Sequence, residues 1–227
     1  MSASSVRIRR ARPLLGTLVE IRVPSAGEAA TRAVDRAFRA IERVHRAMSA
    51  QESTSDIARL RAGRHAGLDP WTRRVLERAE EVRLASDGLF DCGACAFALD
   101  GIAKGFAVDR AVEALQAAGV PAGAVNAGGD LRLFGSELED VYVRPPHAEE
   151  RLLHIGRTAA AAVATSGSAL LVDPRGGAAR TPLAGVTVIA ADCMTADALT
   201  KPCMLARERA TQIAAQFGAR VRIFGTP

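Results

Sequence analysis

The chain has 227 residues, 48% hydrophobic and 24% charged, ordinary values for a globular protein. They exclude a disordered, collagen-like or coiled-coil chain, and no apolar stretch approaches the ~20 residues needed to span a bilayer. Lys and Arg number 30 and Asp and Glu 25, a net charge of +5 spread along the chain except for Arg7, Arg9, Arg10 and Arg12; with one Trp, one Tyr and no recognisable binding module, no nucleic-acid partner is expected.

In chain order, alternation predicts a strand over 14–23, ended by Pro24. A helix over 28–48 follows, with Ala30, Val34, Phe38, Ile41, Val44 and Met48 on one face. Asp69-Pro70 opens a second helix, with a capping carboxylate before a proline at the first position. Val75, Leu76, Ala79 and Val82 line its inner side, and Gly88 follows its end. A third helix is predicted over 101–118, stopped by Gly119. The texture then turns β-rich, with short runs at 122–126, 131–134, 141–144, 152–156, 160–165, 169–173 and 185–191. A last helix over 195–217, capped by Thr195 and disturbed by Pro202, precedes a closing strand at 220–224. A chain of this size buries about 70–75% of its unfolded surface without a disulfide or metal staple. The expectation is one α+β domain over 1–227, helices mostly early and a multi-stranded sheet mostly late.

Five segments carry residue types suited to chemistry. Gly101-Ile102-Ala103-Lys104-Gly105 opens a helix with two glycines and a lysine, a setting in which backbone N–H groups and an ammonium can meet a phosphate. The spacing is not that of a P-loop. Asn126-Ala127-Gly128-Gly129-Asp130 runs from a strand into a tight turn, and Ala164-Thr165-Ser166-Gly167-Ser168 ends another strand with hydroxyls. Asp173-Pro174-Arg175 reads as a turn. In Thr195-Ala196-Asp197-Ala198-Leu199-Thr200-Lys201-Pro202 a carboxylate and a hydroxyl three apart share a helix face and suit a hard cation. Each has a plain structural reading as well: a glycine-softened helix start, ordinary turns, a capped amphipathic helix. Two lysines occur in the whole chain, Lys104 and Lys201, and both fall in these segments.

Four cysteines occur. Cys92-Gly-Ala-Cys95 is a lone C-x-x-C, and Cys193 and Cys203 do not supply the second pair that a zinc site needs. Zinc binding or thiol redox chemistry stays open as a minor reading beside small buried side chains. The first residues contain no apolar export segment, so a cytoplasmic location is expected.

Taken together, the order of Pro13-Leu14-Leu15-Gly16-Thr17, Met48-Ser49, Ser55-Asp56-Ile57, Phe90-Asp91, the Gly-Ile-Ala-Lys-Gly helix start, Asn-Ala-Gly-Gly-Asp, Ala-Thr-Ser-Gly, Asp-Pro-Arg and Thr-Ala-Asp-Ala-Leu-Thr resembles the ApbE family of FAD:protein FMN transferases, from about residue 11 to 205. The resemblance implies an ApbE/T-fold-like architecture of mixed β-sheets packed against helices. It implies FAD as substrate, Mg²⁺ as cofactor, and an acceptor flavoprotein subunit whose threonine hydroxyl receives FMN while AMP departs; some members hydrolyse FAD instead. It places FAD contacts at Leu15, Phe90, Asp91, Lys104, Asn126, Gly128, Gly129, Asp130 and Asp173, and metal contacts at the Gly101 carbonyl and Asp197, with Thr200 the candidate to replace the hydroxyl lost at Lys201. No residue receives a catalytic role. A monomer or homodimer is expected.

The same comparison exposes departures. Ala98 stands where the family has an aspartate, Lys201 where it has the metal-binding hydroxyl, Leu170 where a histidine is frequent, and Gly176 where a threonine follows the Asp-Pro-Arg turn. The chain is also shortened between Asp91 and Leu99. A flavin-nucleotide-binding relative that does not transfer FMN is therefore the competing expectation, together with altered metal dependence.

Overall fold

The computed structural model describes residues 8–145, 151–167, 171–176 and 185–225. Strands β1 (Ile8–Leu14) and β2 (Thr17–Val23) pair antiparallel around Leu15 and Gly16, whose φ angles are 56° and 70°. A two-residue turn with both φ positive matches the twist of a hairpin. The predicted single strand over 14–23 is thus the second arm of a hairpin. Its first arm escaped the pattern because it is an arginine-rich edge strand, with most side chains in solvent.

Helices α1 (Gly27–Met48) and α3 (Pro70–Ala85) lie where periodicity placed them, and Asp69 accepts the Trp71 N–H at 2.8 Å. Between them a short α2 (Asp56–Arg61), missed by periodicity, is capped by Ser55. Then come α4 (Ala103–Ala117), β3 (Gly123–Ala127), β4 (Asp130–Phe134), β5 (Glu139–Val143), β6 (Leu153–Thr158), β7 (Ala161–Ser166) and β8 (Gly185–Ala190). The predicted run over 169–173 is no regular strand where it is described: Leu171 makes an isolated bridge, and Ser168 to Leu170 lie outside the described residues. The predicted last helix is two helices, α5 (Cys193–Leu205) and α6 (Ala210–Ala215), separated by a 3₁₀ turn at 207–209. α5 ends three residues after Pro202, which lacks the N–H that would continue the ladder. Strand β9 (Arg220–Phe224) closes the described chain.

Seven strands form one antiparallel sheet in the order β1-β2-β3-β4-β7-β8-β9, and β5 and β6 form a separate hairpin. As expected, helices α1 to α4 come early and most of the sheet follows them, with the β1–β2 hairpin before them and α5 and α6 late. One face of the sheet carries the main apolar core with α1, α4 and α5, where Phe38, Ile41, Phe106 and Leu199 are fully buried. On the other face Ala124, Leu133 and Val163 pack against Val141 and Val143 of the β5–β6 hairpin. Among the described residues, no helix is long and apolar enough to cross a membrane.

Candidate functional site

α4 and α5 cross at Gly105, where a Cβ would fall on the Cys193 carbonyl and lie 2.8 Å from Asp197 Cβ. The glycine thus sets how closely the two helices approach. That closeness allows a reciprocal arrangement of caps. Ile102, which precedes α4, offers it no side-chain cap; Asp197 of α5 accepts the Gly105 N–H at 3.0 Å. In return Asp109 of α4 accepts the Cys193 and Met194 N–H groups of α5, each at 2.9 Å. Each carboxylate satisfies donors that a helix start leaves orphaned and faces the positive end of the partner helix. Arg132 of β4 completes the second contact, donating to Asp109 at 2.6 Å. The α5 cap is Asp192, not Thr195 as expected: its carboxylate accepts both the Thr195 N–H and hydroxyl, which places Thr195 at the third helical position.

Lys104 stands beside this junction. Its ammonium donates to Asp130 at the start of β4 and lies 3.9 Å from Asp197. Asp130 is 2% exposed, and burial pushes its carboxyl up to about 8; the Asp197 charge pushes the same way, and Lys104 opposes both. Burial alone would lower the Lys104 ammonium, but Asp197 and Asp130 hold it above its ordinary value. The Lys104 charge is therefore already answered inside the protein.

The remaining predicted residues distribute over three clefts around this node. Leu15 lines a 360 Å³ cavity with Gly16, Met48, Gln51, Asp100 and Lys104. Asn126, Gly128 and Gly129 line a larger one of 590 Å³ between the sheet and the β5–β6 hairpin, together with Thr165, Ser166 and the exposed Leu18, Tyr142 and Leu152. That volume lies within the ~300–1,000 Å³ range of small-molecule sites. Asn126 also has a local task, accepting the Gly129 N–H at 3.0 Å. Phe90 and Asp91 line a 190 Å³ cavity with Ala98, Leu171, Pro174 and Lys201. Asp173 holds its own turn by accepting the Arg175 N–H at 3.0 Å and pairing with its guanidinium. So Lys104, Asp130 and Asp197 come together, while Leu15, the Asn126–Gly129 turn and Phe90–Asp91 open into separate clefts. Leu170 lies outside the described residues.

Asp109, Arg132 and Asp192 were not singled out from sequence. A signal existed for Asp109: it interrupts a stretch of α4, Gly105 to Val112, that is buried residue after residue. A carboxylate inside such a helix requires partners.

The set read as metal ligands does not fit a divalent cation as it is arranged. Asp197 is committed to Gly105 and stands near Lys104. The Thr200 hydroxyl donates to the Asp197 carbonyl at 2.8 Å and accepts from Ser166 at 3.1 Å. Gly101 is covered by Lys201: a Cβ there would lie 2.6 Å from both Lys201 Cε and Nζ. At about 4 Å and an effective dielectric near 20, a dication beside one ammonium is opposed by about 8 kcal/mol. Among the described residues, no three His, Cys, Asp or Glu side chains gather as a metal-ligand group.

The cysteines are all free thiols. Burial pushes Cys92 and Cys203 up to about 12 and Cys193 well above its ordinary value, the opposite of what a reactive thiolate needs.

The fold, an antiparallel sheet carrying helices on one face and a hairpin on the other, is similar to that of solved flavin transferases. The ApbE protein of Thermotoga maritima is similar at 22% identity over 96% of this chain and 94% of that one, with a TM-score of 0.84. The Pseudomonas stutzeri flavinyl transferase ApbE, in its apo form, is similar at 17% identity over 98% and 92%, TM-score 0.81. The flavin transferase ApbE of Vibrio cholerae is similar at 19% identity over 95% and 92%, TM-score 0.77. No curated protein matches the chain. The ApbE family profile matches residues 15–98 and 93–223, and the chain belongs to the ApbE family.

Proposed function

We propose that the protein binds FAD and transfers its FMN half to a threonine hydroxyl of a flavoprotein subunit, releasing AMP. The observation that carries this reading is the placement of both lysines of the chain on the same Asp100–Lys104 segment: Lys104 within it, and Lys201 seated on Gly101. A diphosphate brought there meets ammonium charge, with a 360 Å³ cleft lined by Lys104 and a 190 Å³ cleft lined by Lys201 opening beside it. In the reaction the acceptor oxygen bonds to the flavin-side phosphorus. The bond from that phosphorus to the bridging oxygen breaks, AMP leaves with that oxygen, and the hydroxyl proton passes to solvent. Such a transfer needs positioning and charge stabilisation more than covalent help. The chain's part is to orient the diphosphate on this segment with the Lys201 ammonium, Lys104 being paired with Asp130 and Asp197. The Lys104–Asp130–Asp197 contacts keep Lys104 from swinging away. The exposed Leu18, Tyr142 and Leu152 around the 590 Å³ cleft offer apolar footing for the acceptor or the flavin ring. Magnesium has no step in this reading, because its expected ligands are otherwise engaged. A cytoplasmic location stays part of the proposal.

The test is incubation of the protein with FAD and a candidate acceptor subunit, followed by chromatography of nucleotides and in-gel flavin fluorescence. AMP release together with fluorescence that survives denaturation supports transfer. Ala98, Lys201 and Gly176 favour a second reading, FAD binding or hydrolysis without transfer, which yields retained FAD, or AMP and free FMN, with no labelled acceptor.

A further inference from the structure

The two lysines have unlike surroundings. Lys104 is held by Asp130 and Asp197. Lys201 has no carboxylate partner among the described residues. Its outer carbons and ammonium nevertheless have a seat, because they fill the space that a Cβ on Gly101 would need, 2.6 Å from Cε and Nζ and 2.9 Å from Cδ. The position is half-buried and faces the cleft that holds Phe90 and Asp91. A lysine that only decorated a surface would sweep through solvent. This one lies against the segment whose carbonyl was expected to face a metal, while the carboxylate and hydroxyl expected beside that metal bond to the protein instead.

We infer that the Lys201 ammonium is the cation that meets the diphosphate, so that this protein binds FAD without a divalent ion. The inference rests on the FAD-binding reading above. An ammonium supplies one positive charge where a divalent ion would supply two, and it needs no carboxylate set to hold it. It comes pre-positioned by Gly101, so little side-chain freedom is lost when the ligand arrives.

The experiment measures FAD and riboflavin affinity by titration calorimetry, in EDTA and again in excess MgCl₂. The proteins are the full-length chain, Lys201→Thr and Gly101→Ala. For the parent, FAD affinity changes less than about threefold between EDTA and magnesium. Lys201→Thr weakens FAD binding in EDTA by about tenfold or more and leaves riboflavin, which has no phosphates, unchanged. Gly101→Ala keeps the charge but displaces it, and weakens FAD binding in the same way. Parent affinity that rises tenfold or more with magnesium overturns the inference and leaves the FAD reading standing. So does Lys201→Thr binding FAD in EDTA as tightly as the parent. Absence of FAD binding under every condition overturns both.

Discussion

Replacing Gly105 by alanine sets helix propensity against packing, and the two predict opposite signs. Alanine is favoured over glycine in a helix by up to ~1 kcal/mol. The added Cβ, however, would sit 2.6 Å from the Cys193 carbonyl carbon and 2.8 Å from Asp197 Cβ. Carbon atoms in contact prefer about 3.5–4.0 Å. α4 and α5 must therefore separate by about 1 Å, and the obstacle is backbone rather than a side chain that could rotate away. Overpacking of this kind costs about 1–3 kcal/mol. The separation also lengthens the 3.0 Å bond from Gly105 to Asp197 and draws that carboxylate away from Lys104. A net loss of about 2 kcal/mol lowers Tm by about 4–8 °C in a chain of this size. Gly101→Ala is the control: the nearest atoms its Cβ meets belong to the flexible end of Lys201, so Tm changes little. Scanning calorimetry of both variants decides the matter, with FAD titration beside it. Gly105→Ala at or above the parent Tm would refute the close helix crossing, and with it the geometry of the site.

Asp109→Ala strands the Cys193 and Met194 N–H groups and the Arg132 guanidinium. It should cost about 3 kcal/mol, with Asp109→Asn losing less because one acceptor oxygen remains; equal Tm values for Asp109→Ala and the parent would remove the reciprocal caps from the account. The thiols give a pH test. With their values raised to about 12, Cys92 and Cys203 stay protonated at pH 8, and their alkylation by iodoacetamide rises only as the pH climbs further. Peptide mapping by mass spectrometry should find Cys95, which is half-buried, modified first. Cys92 labelled as fast as Cys95 at pH 8 would restore the redox or zinc reading.

Periodicity and capping residues were enough to locate α1 and α3, because α1 buries one face and α3 opens on a recognisable cap, while glycines at 101, 105 and 119 bracketed α4. The motif order was enough for the family. The same local rules failed at β1, whose arginines hide a strand from any apolar pattern, and at α5, whose cap lies three residues before the threonine that looked suitable.

What Asp197 does was beyond any local pattern. Read along its helix, it is a carboxylate three residues from a hydroxyl, fit for a cation; in the fold its partner is an N–H from a glycine 92 positions earlier, and the hydroxyl bonds inward. Lys201 likewise reads as a substitution until Gly101 is seen beneath it. Residue types and spacing determine which helices and strands can form, since those depend on neighbours in the chain. Which charges meet, which are spent on each other and which stay available to a ligand depends on distances between segments, and only the packing of α4 against α5 and β4 decided those.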